Sequence, residues 1–406
     1  MKIAAVFGPV VVAAAVIAPP GPPAEAPFRV FPGAAGEGAA PGALRLSAAR
    51  NEFECFRLLP AAPVELGVRC SPFFGGDGSV SPLALSCYSM GQGGRLDPLP
   101  GAREGGRRVY RTAVRGPGEG LLFEIFVPPG TAPGTYRAVL AASAGGRCRR
   151  FSCRVRVWDF SLESTPPFPV FFPLPGGPSA FAGLRDEGEK ELQSLLDAVL
   201  AHRLTVADFT AAAPDFHGSP VDWEEFERRW GPYLYGRDYP GGLRRARLTA
   251  AVFPRAADRR LRREMTEEFR DRGWPDPVDY PPADGESPLP GASVSVFSSY
   301  GLWGRYAEEG MVRLERGDCR GAVVAAGGGF RVGAVLKDLR DRVEEMQYLE
   351  RLRRTRGPRP AAAVVAAART ARWRPGVCRE LRFRVGRLLS APGRSAAWVR
   401  RNGEEA

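Results

Sequence analysis

Between Phe28 and Phe160 the apolar positions come in short runs with a period of two, separated by Gly and Pro. In "CRRFSCRVRVWDF" the run sets Phe151, Cys153, Val155 and Val157 against Arg154 and Arg156. Successive strand side chains point to opposite faces, so this segment has one apolar and one basic face. "FECFRLLP", "GLLFEIFVPPG" and "GTYRAVLAAS" are of the same kind, with turn residues between them. The pattern predicts an antiparallel β-sandwich over residues 28–163.

The period changes after "STPPFPVFFPLPGG", residues 164–177, a proline cluster that cannot continue a sheet and reads as a linker. "EKELQSLLDAVLAHRLT" puts Leu192, Leu195, Leu196, Val199 and Leu200 on one helical face. "LTAAVF" (248–253) reads as a buried strand. "ADRRLRREMTEEFRDRG" follows as a helix with Leu261, Met265 and Phe269 four apart and Gly273 as its stop. In "VLKDLRDRVEEMQYLERLRRTRG" the stripe is Leu336, Leu339, Val343, Met346 and Leu349, with Gly357 as the stop. Helices alternating with short apolar strands predict a β/α TIM-type barrel over 178–357. That stretch is shorter than the about 250 residues of a closed barrel, so the barrel is expected to be incomplete. The expected fold class is therefore multidomain α and β, a sandwich followed by an incomplete barrel. Residues 358–406 form a basic, compositionally biased tail of low order, in which "VCRELRFRVGRLL" can make one last helix.

A chain of 406 residues with 44% hydrophobic residues is long enough to build two or three such cores. The first residues, "MKIAAVFGPVVVAAAVIAPPGPPAEA", combine one Lys, an apolar run and small residues ending Ala24-Glu25-Ala26, the form of an export signal over 1–26. Pro9, Pro19 and Pro20 interrupt that run, so no membrane span is expected once the signal is removed. A secreted, periplasmic or cell-surface location follows. The formal net charge of +12 is accounted for by Arg351 to Ala406, where 15 Arg face only Glu380, Glu404 and Glu405. The rest of the chain is balanced, which argues against nucleic acid as a partner.

The seven cysteines fit no paired-ligand spacing; Cys148 and Cys153 in "CRRFSC" either bridge in an exported chain or stay as thiols. The only histidines are His202 and His217, neither near a Cys or a second His in sequence, so a His-based zinc site and a Ser-His-Asp triad are both unsupported. The remaining candidate chemistry is "YPPADGESP" (280–288), which carries Asp284 and Glu286 in a loop of turn-forming residues.

Taken in order, "LSAARNEFECFRLL" (46–59), "VPPGTAPGTYRAVL" (127–140) and "VRVWDFSL" (155–162) resemble the β-sandwich domain of glycoside hydrolase family 123 and its relatives. "AHRLT" (201–205), "DRGWPDPVDYPPADGESP" (271–288) and "LKDLRDRVEEMQYL" (336–349) resemble successive landmarks of the barrel that follows in that family. The resemblance implies substrate-assisted hydrolysis of β-linked N-acetylhexosamine, of the N-acetylgalactosamine type. One carboxylate orients the sugar's acetamido group, which attacks the anomeric carbon, while a neighbouring Glu serves as acid and base. The two carboxyls need opposite charge states at working pH.

In the family these acids are consecutive, in an Asp-Glu-Pro triplet after a Gly-Trp landmark, here Gly273-Trp274. With one residue inserted, Asp284 takes the orienting role and Glu286 the acid/base role. Aligned without a gap back from Pro288, Glu286 takes the first role and Ser287 stands where the proton donor would be. By the same resemblance Trp274, Tyr300, Trp303 and His202 are the candidate substrate-binding residues, with ordinary packing as the alternative for Tyr300 and Trp303 and a capping or buried hydrogen-bonded imidazole as the alternative for His202. No cofactor and no metal are implied, and the expected partner is a glycan, as substrate or as ligand. The alternative function is a non-catalytic carbohydrate-binding or cell-surface pseudoenzyme.

Overall fold

The computed structural model describes residues 28–32, 43–91, 96–167, most of 192–278, 334–356 and 377–390. The first half is a sandwich of two sheets. One has five strands in the order β1 (Phe28–Pro32), β3 (Glu52–Pro60), β9 (Gly120–Val127), β5 (Ala84–Met90), β6 (Leu96–Pro98). The other has six: β2 (Ala43–Arg50), β11 (Arg147–Ser161), β10 (Gly134–Ala144), β4 (Val64–Cys70), β8 (Arg107–Val114) and β7 (Ala102–Glu104).

Every pair in these two sheets is antiparallel except β2–β11, which runs parallel. Parallel neighbours need a long connection between them. Here the rest of the sandwich is that connection, because β2 comes near its start and β11 at its end. The β10–β11 hairpin turns on Gly145 and Gly146, both at positive φ, as a two-residue hairpin turn demands. Phe56 stacks on Phe123 at 4.8 Å in the core, with Tyr110 edge-on to Phe123 at 5.6 Å.

Neither Cys148 nor Cys153 is in a disulfide; the first is exposed and the second buried. They lie five residues apart on one extended strand, so they point to opposite faces at a separation of roughly 16 Å, far beyond disulfide reach. The bridge considered from the sequence does not form.

The second half is α/β. It contains α1 (Phe209–Ala212), α2 (Trp223–Tyr235), β12 (Ala251–Val252), α3 (Arg259–Asp271) and β13 (Pro277–Val278), followed by α4 (Ala334–Arg356) and α5 (Val377–Ser390). Asp222 and Asp258 cap α2 and α3, each accepting a backbone N–H three residues on, at 3.0 and 2.8 Å. β12 and β13 pair in parallel across α3. Among the described residues these two short strands are the only sheet of this half, so a TIM-type barrel, even an incomplete one, is not shown there. Residues 279–333 fall outside the described residues.

The halves share one core. Phe53 and Phe126, on the outer side of the five-stranded sheet, pack in a cluster with Leu192, Leu196, Trp230, Phe269 and Val343. This is why all eight residues of β9 are buried: one face meets the other sheet and the other meets the helices. Trp158, Phe160 and Leu162 at the end of β11 pack against Tyr348, Leu352 and Val385 of α4 and α5. The first residues of the Pro-rich stretch are also tied down: Asn51 Nδ2 donates to the Ser164 hydroxyl at 3.1 Å, and the Thr165 hydroxyl donates to the Arg245 carbonyl at 3.3 Å.

Candidate functional site

The acid-bearing loop is approached through a βαβ unit. Helix α3 ends in a Schellman motif: the Gly273 N–H donates to the Arg270 carbonyl at 3.0 Å and the Trp274 N–H to the Phe269 carbonyl at 2.8 Å. Gly273 supplies the positive φ the motif needs. The accompanying apolar contact is Trp274 edge-on to Phe269 at 5.1 Å. The chain then runs through β13 and leaves its C-terminal end toward residues 280–288. Asp284, Glu286, Tyr300 and Trp303 lie outside the described residues.

Two of the sequence candidates are described, and both are buried. Trp274 is 4% exposed among Phe226, Phe269 and Tyr235, so it is a core side chain and not an open platform for a sugar. His202 is 6% exposed, in the turn that closes the helical segment ending near Leu200.

The residue beside it carries more of the architecture. The Arg203 N–H donates to the Leu200 carbonyl and the Leu204 N–H to the Val199 carbonyl, a second Schellman motif. Here the left-handed position, φ 61°, is held by Arg instead of Gly. Positive φ is unfavourable for such a side chain, and its use at this position follows from what the guanidinium does. It is fully buried, donates from Nε to Glu344 Oε1 at 3.1 Å, and reaches the backbone carbonyls of Glu163 and Asn51.

Arg203 is one corner of a buried charge cluster where α4 and α5 meet the sandwich. Arg340 donates to Glu124 Oε2 at 2.8 Å and lies over the Phe53 ring at 4.3 Å. Arg382 donates to Glu52 Oε1 at 2.7 Å and lies 3.5 Å from Glu344 Oε2 and 3.6 Å from Glu54. Glu52 Oε2 accepts from the Tyr348 hydroxyl at 2.5 Å and from the Ala49 N–H. Asp341 sits beside Cys55 and Arg340. Carboxylates thus outnumber guanidiniums in this cluster, since Glu52, Glu54, Glu124, Asp341 and Glu344 face Arg203, Arg340 and Arg382.

Burial pushes Glu52 up to about 8, with Glu344 and Glu54 adding to the rise and Arg382 and the Tyr348 hydroxyl opposing it. Burial likewise raises Glu344, against the pull of Arg203, Arg340 and Arg382. The Cys55 thiol is pushed well above its usual range by burial and by Asp341, which keeps it un-ionised. Glu52 and Glu344 are both 0% exposed, so no substrate reaches them. Chemically the cluster is a latch that holds α4 and α5 in one register on β3 and β9. The sequence signal for it was present: single acids enclosed by bulky apolar residues in "EFECF" and "LLFEIF".

Among the described residues no group of His, Cys, Asp or Glu is arranged to hold a metal ion, and no helix is long and apolar enough to cross a membrane.

No protein-family model and no curated protein matches the sequence. Among solved structures, a family 123 glycoside hydrolase from Clostridium perfringens, studied for glycolipid glycan hydrolysis, is similar at TM-score 0.28 and 16% identity over 39% of this chain. The match spans 31% of that enzyme, so this chain covers less than a third of its length. The N-terminal domain of PorA is similar at TM-score 0.23 and 12% identity, over 32% of this chain and 96% of that domain. MyfA, the major subunit of Myf fimbriae from Yersinia enterocolitica, solved in complex with galactose, is similar at TM-score 0.20 and 8% identity over 32% of this chain and 97% of that one. Similarities this low do not bear on function.

Proposed function

We propose that the chain is an exported glycoside hydrolase of the family 123 type, acting on β-linked N-acetylhexosamine by the substrate-assisted retaining route. Asp284 orients the acetamido group and Glu286 is the acid and base. The observation that supports this reading is the β12–α3–β13 unit, whose second strand ends at Val278, a few residues before the acids. In α/β proteins the carboxyl ends of parallel strands are where ligands bind and catalytic groups sit. Residues two apart in an extended segment project to the same side, so Asp284 and Glu286 can face one sugar across Gly285.

The test is incubation of the purified chain with chromogenic β-N-acetylhexosaminides and a glycan panel. Release that falls at least a hundredfold in Glu286→Gln, with an unchanged melting curve, supports the assignment. No release across the panel refutes it and leaves the non-catalytic glycan-binding reading, which the insertion of Gly285 between the acids favours. That reading predicts glycan-array binding insensitive to Asp284→Asn and Glu286→Gln.

A further inference from the structure

The outer face of the six-stranded sheet carries an arrangement for which the glycosidase reading has no use. Cross-strand register puts Arg45 of β2 opposite Arg154 of β11, and Arg154 opposite Arg137 of β10. Arg137 in turn bridges to Phe74, and Phe74 to Val80. Directly opposed residues share a face. One row therefore runs Arg45, Arg154, Arg137, Phe74, Val80 across the sheet. It points outward, because the alternate residues Leu44, Leu46, Cys153, Val155, Tyr136 and Ala138 fill the core. Neighbouring rungs add Arg156, opposite Thr135 and Ser47, and Arg150, opposite Ala141.

Strands lie about 5 Å apart, so three guanidinium stems start from adjacent strands at that spacing, and like charges placed opposite one another are unfavourable. In the other half of the same sheet Arg69 and Arg111 have an acid beside them: Glu104 pairs with Arg111 at 3.1 Å and with Arg69 at 3.7 Å. Among the described residues Arg137, Arg150, Arg154 and Arg156 make no ion pair, and the Nε of Arg154 is shielded from solvent without an acceptor. At the end of the row Phe74 is 38% and Val80 67% exposed, and Val139, opposite Ser152, is 52% exposed.

We propose that this face binds an acidic polysaccharide lying across the strands. Its carboxylate or sulfate groups sit on Arg154 and Arg137, where the guanidinium fork suits a two-oxygen anion. The apolar face of a sugar ring covers Phe74. A bilayer fits less well, because surface-bound segments bury a broad apolar face and this one offers three scattered side chains. Single-stranded nucleic acid calls for several stacking aromatics, and this face has one.

The test is binding of the full-length chain to alginate, dextran sulfate and neutral dextran, with phosphatidylserine-containing vesicles and single-stranded DNA as comparison arms. Binding to the two acidic polysaccharides that weakens as salt rises is expected, and none to neutral dextran. The pair Arg137→Gln with Arg154→Gln should weaken it at least tenfold, and Phe74→Ser should weaken it further. The pair Arg69→Gln with Arg111→Gln should not, with thermal melts confirming that each variant is folded. Unchanged affinity in the first pair, tighter binding to vesicles or DNA than to polysaccharide, or no binding to either acidic polymer overturns the proposal. None of these readouts depends on glycosidase activity.

Discussion

Replacing Glu52 by glutamine should change how the fold responds to pH more than how stable it is in acid. In the folded chain burial raises Glu52 from 4.5 to about 8, so between those values the folded state holds a proton that the unfolded state has released. Stability from this group is complete below pH 4.5 and is lost as pH rises through about 8. The slope in the window is about −1.4 kcal/mol per pH unit. Glutamine keeps the shape and carries no charge. At pH 5 the variant should be less stable by about 1 kcal/mol, since an amide nitrogen cannot accept what Oε2 accepts from Tyr348 and the Ala49 N–H. Above pH 8 it should be the more stable of the two. Urea unfolding at pH 5, 6, 7 and 8 measures this, followed by tryptophan fluorescence, with Trp158 reporting from the contact with α5. Parallel curves for wild type and variant across that window would refute the reasoning. Glu344 has its own raised value and should leave a residual negative slope in the variant.

Three other substitutions separate competing effects. Arg203→Gly relieves the left-handed backbone but takes a buried donor away from Glu344 and from the Glu163 and Asn51 carbonyls, so a net loss of about 3–5 kcal/mol is expected in urea unfolding; a gain would mean that backbone strain outweighs the latch. Gly386→Ala would ordinarily stabilise a helix by about 1 kcal/mol. Here the added methyl would lie 2.6 Å from the Trp158 ring, so a net destabilisation by about 1–2 kcal/mol is expected, with altered Trp fluorescence. Trp274→Ala should cost about 3–5 kcal/mol by calorimetric or chemical unfolding, whereas a solvent-facing sugar platform would leave stability unchanged.

The parts of the fold that follow from local periodicity were legible in the sequence. The alternation in "CRRFSCRVRVWDF" matches a strand with Phe151, Cys153, Val155 and Val157 in the core, and the four-residue spacing matches Met265 and Phe269 buried on α3 with Gly273 beyond its end. What was not legible depends on partners far along the chain. Glu52 and Glu124 stand among bulky apolar neighbours in the sequence, but nothing local names their partners, Arg382 and Arg340, 330 and 216 residues later. The resemblance marked Trp274 as a sugar contact, yet only the packing of α2 and α3 around it shows that its ring is enclosed. Likewise the pairing of Cys148 with Cys153 was reasonable by spacing and is excluded by the extended geometry of β11.

The latch also sets an order of events during synthesis. β3 and β9 emerge from the ribosome long before the arginines that match their buried acids, and contacts this distant in sequence are slow to form. Until Arg340 and Arg382 arrive, Glu52, Glu54 and Glu124 lack the guanidinium partners they have in the folded chain. A nascent sandwich with charged instead of wholly apolar docking strands has a built-in guard against sticking to another copy while it waits for its own helices.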